Sequence, residues 1–118
     1  MFQFSSAGTF SRAPYFIEEP SDIYVKKGRP AELHCRVGGT PKPSIIWKRN
    51  DNNLDLTSDS RRGITANGSL YFSEIIHNKT QKPDEGIYQC AATSRIQGVD
   101  HKVLSRTARV IVAGKLCY

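Results

Sequence analysis

Asp84-Glu85-Gly86-Ile87-Tyr88-Gln89-Cys90 is the stretch that decides how this chain folds. Gly86 permits a tight backbone approach just ahead of a strand, and Tyr88 stands two residues before a cysteine. Toward the N-terminus, Cys35 and Trp47 complete the set, with Trp47 twelve residues after Cys35 and Cys90 fifty-five after it. Ala31, Leu33, Cys35 and Val37 alternate with Glu32, His34 and Arg36, the period of two that marks a strand with one buried face.

The rest of the chain repeats this signal. Short runs at Ser44 to Arg49, Ser69 to Ile76, Gly86 to Thr93 and Val103 to Val112 read as strands, and turn residues such as Gly38-Gly39-Thr40-Pro41 and Asn50-Asp51-Asn52-Asn53 lie between them. No dozen-residue stretch keeps helical spacing with caps. A chain of 118 residues holds one core. The expected fold is therefore all-β: an immunoglobulin-like β-sandwich of two antiparallel sheets, I-set type, with one inter-sheet disulfide. In such a sandwich the two cysteines face each other across the sheets, a tryptophan packs on the bridge, and a tyrosine ties the turn before the second cysteine to nearby backbone. Cys35, Cys90, Trp47 and Tyr88 suit these roles. Residues 1–13 are expected to be a flexible leader, 14–114 the domain, and 115–118, with the odd Cys117, a linker or the start of a following domain.

Alternation assigns faces. Leu33, Val37, Ile45, Leu70, Phe72, Ile75, Ala92, Ala108, Val110 and Val112 should join the disulfide and Trp47 inside, while Ile46, Lys48, Gln89, Thr93, Arg109 and Ile111 should face out. Asp84 is expected to pair with Arg61 or Arg62, a structural salt bridge in domains of this type. The net charge of +6 admits a polyanion. Lys48 and Arg109, with Arg95, His101 and Lys102 from the adjoining hairpin, are expected to gather near one end of the sheet, where heparan sulfate could meet them. Ile46 and Ile111 beside the cations form a candidate adhesive surface. A disulfide implies an oxidising, extracellular compartment, and the sequons at Asn67 and Asn78 are glycosylation candidates in keeping with it.

Catalytic chemistry finds no foothold. His34, His77 and His101 lack metal-ligand spacing, no serine sits in a nucleophile elbow, and Gly38-Gly39 leads into Pro41 and Pro43, not into a phosphate-binding helix. The reading is of a non-enzyme without cofactor or metal. It has no nucleic-acid partner, since no RNP-like motif, zinc-finger spacing or arginine-rich helix occurs. Its link to a membrane is expected only through a transmembrane segment outside this stretch, since the longest apolar runs are a few residues.

From Glu19-Pro20-Ser21-Asp22 through Trp47-Lys48, Asp59-Ser60-Arg61-Arg62, Gly68-Ser69-Leu70 and Lys82-Pro83-Asp84-Glu85-Gly86 to the run Ser105 to Gly114, the chain resembles the first immunoglobulin domain of neogenin/DCC-type netrin receptors. The half before Trp47, with Gly39-Thr40-Pro41-Lys42-Pro43, is similar to the first immunoglobulin domain of roundabout receptors. The first resemblance implies an extracellular recognition module of a plasma-membrane receptor for axon guidance and cell migration. Its partners would be a protein ligand or neighbouring immunoglobulin domains of the same receptor. In that family the main netrin contacts belong to fibronectin domains. The second resemblance implies a Slit contact, and a purely structural spacer in an adhesion protein is the remaining alternative.

Overall fold

A computed structural model describes residues 10–57, 59–78 and 80–113. Eleven strands follow in order among them: β1 (Arg12–Glu18), β2 (Ile23–Lys26), β3 (Ala31–Leu33), β4 (Arg36–Thr40), β5 (Ser44–Arg49), β6 (Asn52–Asn53), β7 (Arg62–Ile64), β8 (Leu70–Phe72), β9 (Gly86–Ile96), β10 (Val99–Leu104) and β11 (Ala108–Ala113). They form two layers. One is a six-stranded sheet in the order β2-β11-β9-β5-β6, with β10 also paired to β9. The other combines the pair β1-β4 with the sheet β3-β8-β7. The second layer divides at His34 and Cys35, which separate β3 from β4. All pairings are antiparallel except β2 with β11, which run parallel with Ile23 opposite Val110.

The core lies between the layers. Leu33, Trp47, Leu70, Phe72, Ile75, Tyr88, Ala108, Val110 and Val112 are buried around the Cys35–Cys90 disulfide, with Val37 and Ile45 half-buried against them. Phe72 and Tyr88 meet edge to face, ring centroids 5.9 Å apart, a geometry that suits the aromatic quadrupole. Trp47 buries its indole without losing a hydrogen bond, because Nε1 donates to the Gly68 carbonyl at 2.8 Å. Tyr88 likewise donates its hydroxyl to the Asp84 carbonyl at 2.7 Å.

Several boundaries differ from expectation. The strand expected over Ser69 to Ile76 pairs only over Leu70–Phe72: the Ser73 amide still follows the β7 register onto the Arg61 carbonyl, but the Ile75 amide turns to the Arg29 carbonyl. Ile75 remains buried although it has left the sheet. The expected run Val103 to Val112 is two strands. Ser105 interrupts it by placing its Oγ on the Cys90 amide at 3.0 Å, while its own amide donates to the Cys90 carbonyl. β1 opens at Arg12, two residues ahead of the expected domain start. Residues 1–9 and 114–118, and with them Cys117, lie outside the described residues.

The chain changes layers between β1 and β2, and polar groups from the β10–β11 break hold the crossing. Arg106 donates from Nε to the Pro20 carbonyl and from Nη2 to Ser21 Oγ, both at 2.8 Å. Glu19 and Asp22 accept the backbone amides of Arg106 and Arg109 in return. Pro20 itself is fully buried, and a residue without an amide hydrogen leaves no donor unmet there. This crossing lays β2 along β11 and so adds the last strand to the sheet described next.

Candidate interaction surface

The candidate functional side chains fall in two places, and the two differ in burial. The first is internal. Asp84 is fully buried, and Arg61 grips it with two bonds, Nη1 to Oδ2 at 2.9 Å and Nη2 to Oδ1 at 3.0 Å. Oδ2 also accepts the Ile76 amide at 2.6 Å. Arg62 stands 3.9 Å from the same carboxylate but gives its Nε to Asp59 at 2.7 Å. Burial pushes the Asp59 carboxyl up, yet the Arg62 side chain and the amides of Arg61 and Arg62 outweigh it and hold the group below the ordinary carboxylate range. Burial pushes the Tyr88 phenol above its usual value. Every oxygen of Asp84 is engaged within the protein, so the cluster fastens the turn before β9 to the start of β7 and offers nothing to a ligand.

The second place is the outer face of the six-stranded sheet. Pairing along β9 sets its layout: Arg109 lies opposite Ile87, Lys48 opposite Gln89, Ile46 and Leu104 opposite Ala91, and Lys102 opposite Thr93. Ile46 is exposed and Ile111 half-buried. The sequence reading missed Tyr24, Ile87 and Leu104, which are 74%, 42% and 50% exposed on the same face. Their signal was present, since Tyr24 alternates with the inward Ile23 and Val25, and Ile87 with Tyr88. Lys82, Ile87, Arg109 and Ile111 border a shallow hollow of about 390 Å³.

The expected gathering of five cationic groups near one end does not form. Arg109 and Lys102 sit opposite residues six apart on β9, which at about 3.3 Å per residue is roughly 20 Å. His101 pairs with Ser94, and alternation turns it to the opposite side from Lys102. Arg95 is held by Asp100 at 3.0 Å. What remains is a line of cations along the sheet.

The sequons lie elsewhere. Asn67 is exposed in the turn between β7 and β8, but Ser69 of the same triplet is buried, its Oγ accepting the Cys35 amide at 3.1 Å. Asn78 caps the turn before β9, its Oδ1 accepting the amides of Thr80 and Gln81 at 2.9 Å. Neither stands on a strand of the six-stranded sheet. Among the described residues no group of three His, Cys, Asp or Glu could hold a metal, and no helix is long and apolar enough to cross a membrane.

Comparison with known proteins places these features in context. Residues 14–104 match the immunoglobulin I-set domain model. Human neogenin is 44% identical over 100 residues, covering 85% of this chain and 7% of neogenin. Human Roundabout homolog 1 is 38% identical over 92 residues, covering 75% of this chain and 6% of that protein. Among solved structures, the N-terminal two-domain immunoglobulin module of the Drosophila receptor protein tyrosine phosphatase DLAR superposes with a TM-score of 0.74 at 21% identity, covering 88% of this chain and 47% of the other. The chain thus spans a small part of the length of its curated relatives.

Proposed function

Because this chain belongs to the immunoglobulin I-set family, we propose that it is a non-catalytic, extracellular recognition domain of a cell-surface guidance receptor of the netrin-receptor type. The observation that carries this reading is the neogenin likeness, 44% identity over 100 residues. The domain presents a rigid face for a protein partner, as sandwiches of this kind do with sheet faces and end loops. The netrin contact itself is not assigned to this domain. A Slit-binding role is the second reading, favoured by the Roundabout likeness.

The test uses cells that make the natural polypeptide carrying this domain. Antibodies raised against the purified chain should label intact, unpermeabilised cells, and deletion of residues 14–114 should reduce migration toward a netrin source while netrin still binds the rest of the receptor. Labelling only after permeabilisation, or unchanged migration, overturns the proposal. Loss of a response to Slit with the netrin response intact selects the second reading.

A further inference from the structure

The outer face of the six-stranded sheet carries two apolar rows among uncompensated cations, and the geometry points to one kind of occupant: a separate protein whose docking surface is apolar at its centre and acidic around it. This deepens the recognition role proposed above and rests on it. One row runs across the sheet from Tyr24 to Ile111, its direct neighbour, and on to Ile87 beside the shared hollow. The other is the exposed pair Ile46 and Leu104, set on either side of the buried Ala91 that both oppose on β9. Ile87 and Ala91 are four residues apart on β9, which sets the rows roughly 13 Å apart. Single exposed apolar side chains are ordinary; two aligned rows on one flat face are the pattern of an interface.

Charge narrows the partner. Lys26, Arg109, Lys48 and Lys102 border or separate the rows, and among the described residues none of them forms an ion pair. Asp100 is tied to Arg95, while Asp22 and Glu85 accept the backbone amides of Arg109 and Val112 and keep their charge. Four cations against those two carboxylates still leave the face positive. A second copy would oppose like charges, which disfavours self-association. A sulfated polysaccharide would meet the cations but leave both rows in water. An acidic protein surface with an apolar centre satisfies both features at once, covering the rows as an interface core and pairing the cations at the rim.

The native chain can be titrated with three soluble probes of matched length: polyglutamate, a random copolymer of glutamate and tyrosine, and heparin. The copolymer should bind about tenfold more tightly than polyglutamate. The triple variant Tyr24→Ser, Ile87→Ser, Leu104→Ser should lose that advantage while its affinity for polyglutamate stays unchanged. Lys48→Ala with Arg109→Ala should weaken both polypeptides. All five side chains face outward, and melting curves verify that each variant is folded; Leu104→Ser alone gives a milder check of the same loss. The proposal falls if the copolymer binds no better than polyglutamate, if heparin binds most tightly and ignores the triple variant, or if sedimentation equilibrium shows a dimer that the triple variant abolishes. Tight copolymer binding by a domain whose deletion leaves migration unchanged would keep the surface and remove the guidance role, so the two failures are distinguishable.

Discussion

Asp84 is the residue whose loss the fold should feel most. Its side chain has no exposed surface, while that of Arg61 is 21% exposed. Removing the carboxylate leaves Arg61 without its charge partner in a partly buried site, while Arg62 keeps Asp59, and leaves the Ile76 amide without its acceptor. Truncating one member of a buried pair costs about 3 kcal/mol or more, and Asp84→Ala should lower the unfolding free energy in urea by about that much. Because the residues act together, Asp84→Ala combined with Arg61→Ala should cost less than the sum of the two single changes. Additive effects in that double-mutant cycle would show that the contact is not shared. The residue types and their family pattern pointed to this pairing, but the division of labour between Arg61 and Arg62 was not legible. It depends on Asp59 reaching back to Arg62, a contact settled by side-chain geometry.

At the scale of strands, β1 and β4 hold together partly through an aromatic lid. Tyr15 lies directly opposite Gly38, and a Cβ on Gly38 would clash with the phenol end of the Tyr15 ring. Arg12 stacks on that ring, its guanidinium carbon 4.1 Å from the centroid. Tyr71 covers Gly63 across β7 and β8 in the same way, a Cβ there meeting the ring at 2.7 Å. An aromatic side chain over a cross-strand glycine fills the gap that the missing side chain leaves. Gly38→Ala should destabilise the domain by about 1–2 kcal/mol, because Tyr15 must swing aside. In a Tyr15→Ala background the same substitution should cost clearly less when both melting curves are compared. Alternation had identified the layers and nearly all of the inward residues, because a period of two is a local property. The strand breaks at Phe72 and Ser105 were invisible to it. They follow from bonds such as Ser105 to Cys90 and Arg106 to Pro20, whose partners are 15 and 86 residues away in the chain.

For the whole molecule, the Cys35–Cys90 bridge closes a 55-residue separation between the layers. A loop of this length should contribute about 4 kcal/mol through the unfolded chain. Reduced, thiol-blocked protein should therefore melt at markedly lower temperature than the oxidised form, and equal melting would show that packing alone sustains the fold. The bridge acquires a different meaning if the domain is strung between neighbours and pulled. β2, which follows the crossing from β1, and β11, the last described strand, run parallel in one sheet. Tension applied at the start of β2 and the end of β11 then loads their hydrogen bonds in shear, all at once, instead of peeling them open singly. Once those bonds yield, the disulfide stops the stretch between Cys35 and Cys90 from paying out. Of the extension the chain could otherwise release, at about 3.3–3.6 Å per residue, only the segments outside the bridge are free to lengthen, so the domain behaves as a tether with a built-in stop.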